Sequence, residues 1–413
     1  MKKRTFLGIK QIIIIIFAFL FAINLFDQAE LFFALLFLSV FLNIYGGRDN
    51  ITVKKMPNNL STLILFLFAV TYIFIASFYN TYSLFYVLKR AVYPVLAFVI
   101  GYVLGQERER DISNRIILAI AGGFFVYGFL NYSMRASNSN LVETRASLDI
   151  WSGAELFPTY ESTFFLFVVS LTFYYLICNR IKTKIVGFAS IIVACSVAIG
   201  TASRTLIVLT VGSVMGFELL FIIYNKRKSN NKIKILLTTL TLALIAYGVF
   251  AFNAFGIREK ILSSELVLRM TTTDVDTMLD FNQRSIRYAY VFSKFGSHLM
   301  GNIDMGALGT AHNTWLDIFR VSGIIPMVLY IVFTIRMIMV AVKLWKKHVF
   351  FEEKYFVCLS IVICSNLLFF VESIIALHIN YFWAYLIVCG IMEGKYKALI
   401  YNTANRNTEV STK

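Results

Sequence analysis

Residues 280–326 read DFNQRSIRYAYVFSKFGSHLMGNIDMGALGTAHNTWLDIFRVSGIIP and change from a polar segment into an apolar helix. The polar part contains two arginines, Arg284 and Arg287, and continues into a loop broken by glycines. The loop ends at His312, shortly before an apolar run that begins at Trp315. Apolar runs lie on both sides of this stretch. A long polar segment with a histidine at the N-terminus of a helix therefore requires a specific explanation.

The composition excludes an ordinary soluble domain. Of the 413 residues, 58% are apolar, whereas soluble domains are nearer half. Forty phenylalanines and only four prolines favour helices embedded in lipid. The net charge of +16 would also fit nucleic-acid binding, but most lysines and arginines lie in short gaps between apolar runs. That distribution is the positive-inside pattern of membrane proteins, so we predict no nucleic-acid partner.

Apolar segments of about 16–25 residues match the thickness of a bilayer core. The sequence predicts twelve of them: 8–26, 30–45, 60–79, 84–105, 116–133, 160–178, 185–200, 205–224, 235–254, 315–342, 355–371 and 374–392. The N-terminal run lacks a small-residue cleavage site, so we interpret it as a retained first helix. The fold class predicted is all-α, a polytopic integral membrane protein with about 12 transmembrane helices.

The basic gaps predict the orientation, with both termini in the cytoplasm. Two gaps on the opposite side are long enough to fold, a smaller outer loop at 134–159 and a large outer loop at 255–314. We expect a single integral membrane domain, 1–413, with the large loop as a capping element. Residues 272–296 of that loop are predicted to be helical, with Thr272 or Thr273 as the cap.

His312 is the first candidate for chemistry. Asn313 follows it, and a membrane helix is predicted from Trp315 at the outer surface. A helix dipole disfavours an imidazolium at this position, so we expect a neutral imidazole that can accept a proton. The alternative is an interfacial histidine that reaches toward lipid headgroups.

Arginines supply the candidate anion site. Ser203 and Arg204 lie in a tight outer turn, where a helix N-terminus adds N–H donors to the guanidinium. Arg284 and Arg287 are three residues apart, and both could donate hydrogen bonds to phosphate oxygens. The alternatives are lipid phosphate for Arg204 and a surface ion pair with Asp280 for Arg284.

Several other patterns receive simpler interpretations. Lys89 and Arg90 near the outer end of a predicted helix are possible substrate ligands, but snorkelling explains them equally well. Asp274 and Asp276 resemble a metal-binding D-x-D pattern, yet acids at a helix start usually complement its dipole. The five cysteines lie in or beside apolar runs without ligand spacing, so we predict neither disulfides nor a metal.

Two features are predicted for the helix that follows His312. Asp317 and Arg320 are interpreted as an ion pair, and Gly323 and Pro326 as a kink.

Outward-facing arginines, helix N-termini and a neutral histidine at the membrane surface suit a lipid-linked phosphate substrate. In residues 200–330 the chain resembles the O-antigen ligase/polymerase superfamily. The resemblance rests on Ala311-His312-Asn313-Thr314-Trp315-Leu316, Gly323-Ile324-Ile325-Pro326, Ser203-Arg204, Gln283-Arg284 with Tyr288, and Gly301-Asn302. Pro326 stands where that family usually has glycine. Arg284 and Arg287 compete for the family arginine, and Arg284 places Tyr288 at the aromatic position.

The resemblance implies a GT-C-like, metal-independent, inverting glycosyltransferase that uses undecaprenyl-diphosphate-linked glycans and no cofactor. His312 would be the catalytic base, with Arg204 and Arg284 on the diphosphate. It also implies the bacterial cytoplasmic membrane as location, with membrane lipid, a flippase and chain-length regulator proteins as partners.

Three functions remain open from the sequence. The first is a polymerase that joins lipid-linked repeat units into O-antigen or capsule at the outer face of the membrane. The second is a ligase that transfers the glycan to a lipid-core or protein acceptor. The third is a transporter, which would predict inverted repeats and broken helices near the membrane midplane.

Overall fold

The computed structural model describes residues 8–45, 59–80, 82–106, 112–136, 146–172, 181–224, 237, 240, 247–248, 250–253, 256–264, 266–267, 281–347 and 353–411. It is 82% helical, which agrees with the predicted all-α class. The described strands form one two-residue antiparallel pair, β1 (Ser147–Leu148) and β2 (Glu155–Leu156).

Helices make up most of the described residues. In the described ranges they are α1 (Ile9–Ala22), α2 (Ala29–Tyr45), α3 (Leu60–Ile73), α4 (Leu84–Gln106), α5 (Ile112–Ala136), α6 (Pro158–Val169), α7 (Ile181–Gly200), α8 (Arg204–Tyr224), α9 (Ile257–Leu262), α10 (Phe281–Ser293), α11 (Thr314–Ser322), α12 (Ile324–Lys346), α13 (Glu353–Phe369), α14 (Ile374–Leu377) and α15 (Ile379–Ser411). α3 continues through a π-helical turn, Phe74–Tyr79.

Four described helices are long and apolar enough to cross a membrane. They are Leu60–Tyr79, Leu84–Gln106, Ile112–Arg135 and Ile324–Lys346. Shorter apolar helices occupy five more of the predicted spans, which fits a membrane-embedded protein. The total of twelve spans stays a prediction, and most of the predicted span 235–254 lies outside the described residues.

Two predicted spans differ from the structure. The run 315–342, in which a kink is predicted at Gly323 and Pro326, is divided at Gly323, whose φ of +81 separates α11 from α12, while Pro326 lies inside α12. The run 374–392 consists of α14 and the start of α15, which continues to Ser411. Hydropathy marks only the apolar part of a helix. The polar residues after 392 contain no proline, so the helical hydrogen bonds continue through them. The predicted cap at Thr272 or Thr273 lies outside the described residues.

The chain divides into two compact units, Met1–Tyr127 with Ile286–Lys413, and Gly128–Ser285. We call them the first and second unit. The single domain predicted from the sequence stays a prediction.

The core of the first unit is a crossing of α4 and α15 in which the two backbones touch. A Cβ atom added to Gly101 would overlap the carbonyl oxygen of Ile387, and one on Gly390 would overlap the carbonyl oxygen of Phe98. Gly105 and Gly394 repeat the same contacts one turn later. Both helices therefore contain a G-x-x-x-G pair, which lets membrane helices approach closely.

Aromatic side chains complete this core. The fully buried ring of Trp383 on α15 lies 4.8 Å from Tyr93, 5.1 Å from Phe33 and 6.2 Å from Phe21, measured between centroids. Its Nε1 donates to the Lys89 carbonyl oxygen at 2.9 Å. One tryptophan thus joins α1, α2 and α4 to α15. Its indole N–H has the hydrogen-bond acceptor that a buried donor needs.

The second unit contains the end of α5, the β-hairpin, α6 to α9 and the start of α10. The Arg135 guanidinium of α5 donates to the carbonyl oxygen of Gly200 at the end of α7. Asn131 Oδ1 accepts from the Ile150 amide at 3.0 Å, which fixes the hairpin to α5. These contacts hold the hairpin and the α7–α8 turn against one helix.

We predict that Gly390→Ala destabilises the protein in detergent, because the added methyl group would meet backbone that cannot rotate away. Overpacking of this kind costs about 1–3 kcal/mol. Gly212→Ala on α8 is the matched control, since a Cβ there meets nothing within 4 Å. Thermal unfolding of both purified variants is the measurement. An equal melting temperature for Gly390→Ala and wild type would contradict the close crossing.

Candidate functional site

His312 lies in the loop before α11 with a left-handed backbone, φ +50. For a residue with a Cβ this conformation costs roughly 1–2 kcal/mol. Strain of this kind persists only where the surrounding structure imposes it, and it is concentrated at functional sites. The residues on both sides of His312 supply the necessary anchors.

The first anchor is the start of α11. Asn313 caps the helix, because its Oδ1 accepts from the Leu316 amide at 3.1 Å. Its Nδ2 also donates to the Phe370 carbonyl oxygen at 3.3 Å. Thr314 Oγ1 donates to the Glu372 carbonyl oxygen at 2.9 Å and accepts from the Ile374 amide at 3.2 Å. The loop between α13 and α14 is therefore fastened to the residues that follow His312.

The second anchor is the Asp317 carboxylate, which is buried inside the first unit. Oδ1 accepts from the Ala311 amide at 3.0 Å and from Arg320 Nε at 3.3 Å. Oδ2 accepts from the Ser373 hydroxyl. The predicted Asp317–Arg320 ion pair is confirmed. The same carboxylate also holds the residue before His312 and the residue after Glu372, so it acts on both sides of the site.

Glu372 contacts the imidazole itself. Its Oε2 lies 3.4 Å from His312 Nδ1, and the two side chains are 2% and 21% exposed. This is long for a hydrogen bond, although catalytic pairs can be long before substrate tightens them. A carboxylate accepts hydrogen bonds and cannot donate them, so the contact favours the tautomer with a proton on Nδ1. Nε2 is then the basic nitrogen.

Tyr288 on α10 contacts the same loop. Its hydroxyl lies 2.9 Å from the Phe370 carbonyl oxygen and 3.2 Å from the His312 carbonyl oxygen, so its one hydrogen serves two acceptors. The turn after α10 also packs against α11 through Phe295 and Phe319, whose ring centroids are 4.3 Å apart. These contacts place Arg287, the neighbour of Tyr288, in the first unit with His312. In the described part of the chain its buried Nε has no hydrogen-bond partner.

Lys89 and Arg90 have partners within the first unit. Lys89 forms an ion pair with Glu30, and its ammonium lies 4.3 Å from the Phe85 ring centroid. Arg90 donates to the carbonyl oxygens of Ala376 at 2.9 Å and Tyr86 at 3.2 Å. These contacts give both cations a structural role.

The remaining predicted residues belong to the second unit. Ser203 caps α8, since its Oγ accepts from the Leu206 amide at 3.3 Å. Arg204 is half-buried as the first residue of α8, after Ala202 with φ +50. Arg284 is half-buried on α10, one turn before Tyr288. The structure thus brings His312, Asn313 and Arg287 into one unit, and Ser203, Arg204 and Arg284 into the other.

Sequence reasoning missed Glu372. A signal was present, because Glu372 is the acid between the apolar runs 355–371 and 374–392. Acids in such positions are costly unless they have a partner. The spacing of 60 residues from His312 gave no indication of which partner it would be.

Comparisons with known proteins add no further identification. No family model matches the chain, and no curated protein matches it.

We predict that Asp317→Asn lowers stability by about 3 kcal/mol, because it leaves Arg320 without its buried counter-charge. The amide would also present N–H groups to donors. Hydrogen exchange at Ala311 should accelerate together with the fall in unfolding temperature. Glu155→Gln is the control, since that carboxylate is exposed on the hairpin. Unchanged exchange at Ala311 would show that Asp317 does not anchor the loop.

Proposed function

We propose that the chain is a GT-C-like, metal-independent inverting glycosyltransferase that polymerises undecaprenyl-diphosphate-linked oligosaccharide repeat units. The observation that carries the proposal is the pairing of a strained, partly exposed His312 with a buried carboxylate, Glu372. This is the arrangement of a general base and the group that orients it. It lies in a chain with several apolar helices, which suits a substrate anchored in lipid.

In the proposed reaction His312 Nε2 removes the proton from an acceptor sugar hydroxyl. The hydroxyl oxygen forms a bond to the anomeric carbon of the donor, on the face opposite the diphosphate. The bond between that carbon and the diphosphate oxygen breaks, and its electron pair leaves with the diphosphate. One attack from the opposite face inverts the configuration. Glu372 holds the ring and stabilises the imidazolium that forms.

Guanidinium groups are proposed to balance the charge that grows on the departing diphosphate. Arg287 is supported by its place beside Tyr288 and by its buried Nε. Arg204 and Arg284 are proposed from the resemblance to the O-antigen ligase/polymerase superfamily. Arginines in this role would make a divalent cation unnecessary.

The same donor chemistry would serve a ligase with a lipid-core or protein acceptor, so the acceptor distinguishes the two functions. We place the reaction at the outer face of the bacterial cytoplasmic membrane, with both termini in the cytoplasm. The product would be O-antigen or capsule, and a flippase and chain-length regulators would be partners. The transporter alternative does not require a general base.

We predict that purified wild-type protein converts synthetic lipid-diphosphate repeat units into a ladder of longer products with EDTA present. His312→Ala should lower the rate about a hundredfold or more, because general base catalysis contributes at least that much. Glu372→Gln should lower kcat more than it raises KM, since it releases the ring without removing the base. Gel separation of labelled products measures both.

His298→Ala is the matched control, because His298 lies in the same loop with its Nδ1 2.8 Å from Ser297 Oγ. It should keep full activity. Transfer only to an added lipid-core or protein acceptor would identify a ligase. Activity that EDTA abolishes and His312→Ala retains would refute the mechanism and direct attention to Asp274 and Asp276.

We also predict that Arg287→Lys raises KM for the lipid-linked donor at least tenfold, because lysine cannot replace a two-pronged contact with phosphate oxygens. Arg284→Lys provides the comparison on the same helix. Steady-state kinetics at fixed acceptor concentration measure both variants. A larger loss in Arg284→Lys would assign the main diphosphate contact to Arg284.

A further inference from the structure

Three segments of the first unit meet at the side chain of Asn80. Its Nδ2 donates to the carbonyl oxygens of Met300 and Val321, both at 2.8 Å. The Ile303 amide donates to the Arg320 carbonyl oxygen at 3.0 Å. The residues before α4, the loop after α10 and the end of α11 are therefore fixed to one another by hydrogen bonds to backbone carbonyl oxygens.

Gly301 and Gly323 make this junction possible. A Cβ on Gly301 would lie 2.7 Å from the Gly323 amide nitrogen. Both residues have positive φ, at +80 and +81, so glycine is suited to them by conformation as well as by space. The geometry of the junction is thus fixed by the backbone.

Three side chains of complementary chemistry flank the junction. Tyr82 follows Asn80 by two residues, Asp304 follows Ile303, and Arg320 precedes Val321. The half-buried ring of Tyr82 stacks on Tyr86, with centroids 5.4 Å apart and planes inclined by 17°. Tyr82 thus belongs to an ordered pair of rings at the start of α4.

The polar groups at the junction are available for a ligand. Among the residues that the structure describes, Arg320 contacts Asp317 through Nε, which leaves its terminal nitrogens as donors. Asp304 is exposed, and its Oδ1 accepts from the Gly306 amide at 2.9 Å, which orients the carboxylate. Burial raises the pKa of Tyr82, although the charge of Arg320 acts in the opposite direction. The phenol therefore stays protonated at neutral pH and can donate.

An aromatic ring, a guanidinium and a carboxylate, whose residues adjoin the three hydrogen-bonded segments of the junction, match the chemistry of a sugar. The apolar face of a pyranose packs on a flat ring, while its hydroxyls accept from arginine and donate to a carboxylate. Tyrosines of a membrane-interface belt are the alternative, but a belt requires neither a fixed acid nor a fixed arginine.

We propose that Tyr82, Asp304 and Arg320 form a subsite for one sugar of the glycan. The proposal rests on the proposed function and extends it to the binding of the oligosaccharide. Thr314 and Arg320 are six residues apart on α11, about 9 Å along its axis. The subsite therefore holds a sugar beyond the one that reacts near His312.

The test is binding of the full-length, fluorescently labelled protein in detergent to an array of bacterial oligosaccharides. Wild type should bind a defined subset of these oligosaccharides. Tyr82→Ala should weaken binding at least tenfold, whereas Tyr82→Phe keeps the ring and should bind within about threefold of wild type. Tyr247→Ala is the control, since that tyrosine is 70% exposed in the second unit.

Asp304→Asn provides a second variant if Tyr82→Ala fails to fold, and it should weaken binding to the same oligosaccharides. Equal binding by wild type, Tyr82→Ala and Asp304→Asn would overturn the proposal, as would an array on which wild type binds nothing. The array requires no transfer reaction. Binding without a product ladder would therefore support the subsite while refuting the polymerase, and a ladder with unchanged binding in the variants would do the reverse.

Discussion

The backbone contact between α4 and α15 is the constraint on which the first unit depends. Lipid provides no hydrophobic force that drives two apolar helices together, so association relies on close packing. Gly101 and Gly390 permit a contact in which each helix backbone touches the other. Gly101 lies against Ile387 and Gly105 against Ile391, so the helices run parallel and their first residues lie at the same end of the unit.

That common end carries the candidate site. α4 begins just after Tyr82, and α15 begins just after the α14 turn and Glu372. A rigid crossing therefore fixes two segments that are almost 300 residues apart in the sequence. The Arg90 contact with the Ala376 carbonyl oxygen, at 2.9 Å, connects them directly. Through this contact Arg90 stabilises the end of the first unit that carries the candidate site.

The sequence predicted features that depend on local chemistry. Apolar run length identified most of the long helices in the described ranges, and the spacing of Asp317 and Arg320 identified an ion pair. The position of His312 before a helix marked it as a candidate base. Partners from distant segments were not predictable, because hydropathy contains no information on which helices touch. Glu372 is the main example. The glycine pairs at Gly101 and Gly390 were visible as spacing, but nothing identified them as partners.

The break at Gly323 is more complete than the kink that the sequence predicts there. A kinked but continuous helix from Trp315 would have carried the residues after His312 straight into a long apolar span. Instead α11 is a nine-residue helix, capped by Asn313 and ended by Gly323. Its buried residue Asp317 accepts from the Ala311 amide, next to the strained histidine, and from Arg320 one turn later. A short helix bounded in this way sets a fixed distance between its two ends. In the proposed enzyme, that distance would hold a glycan in register with the base.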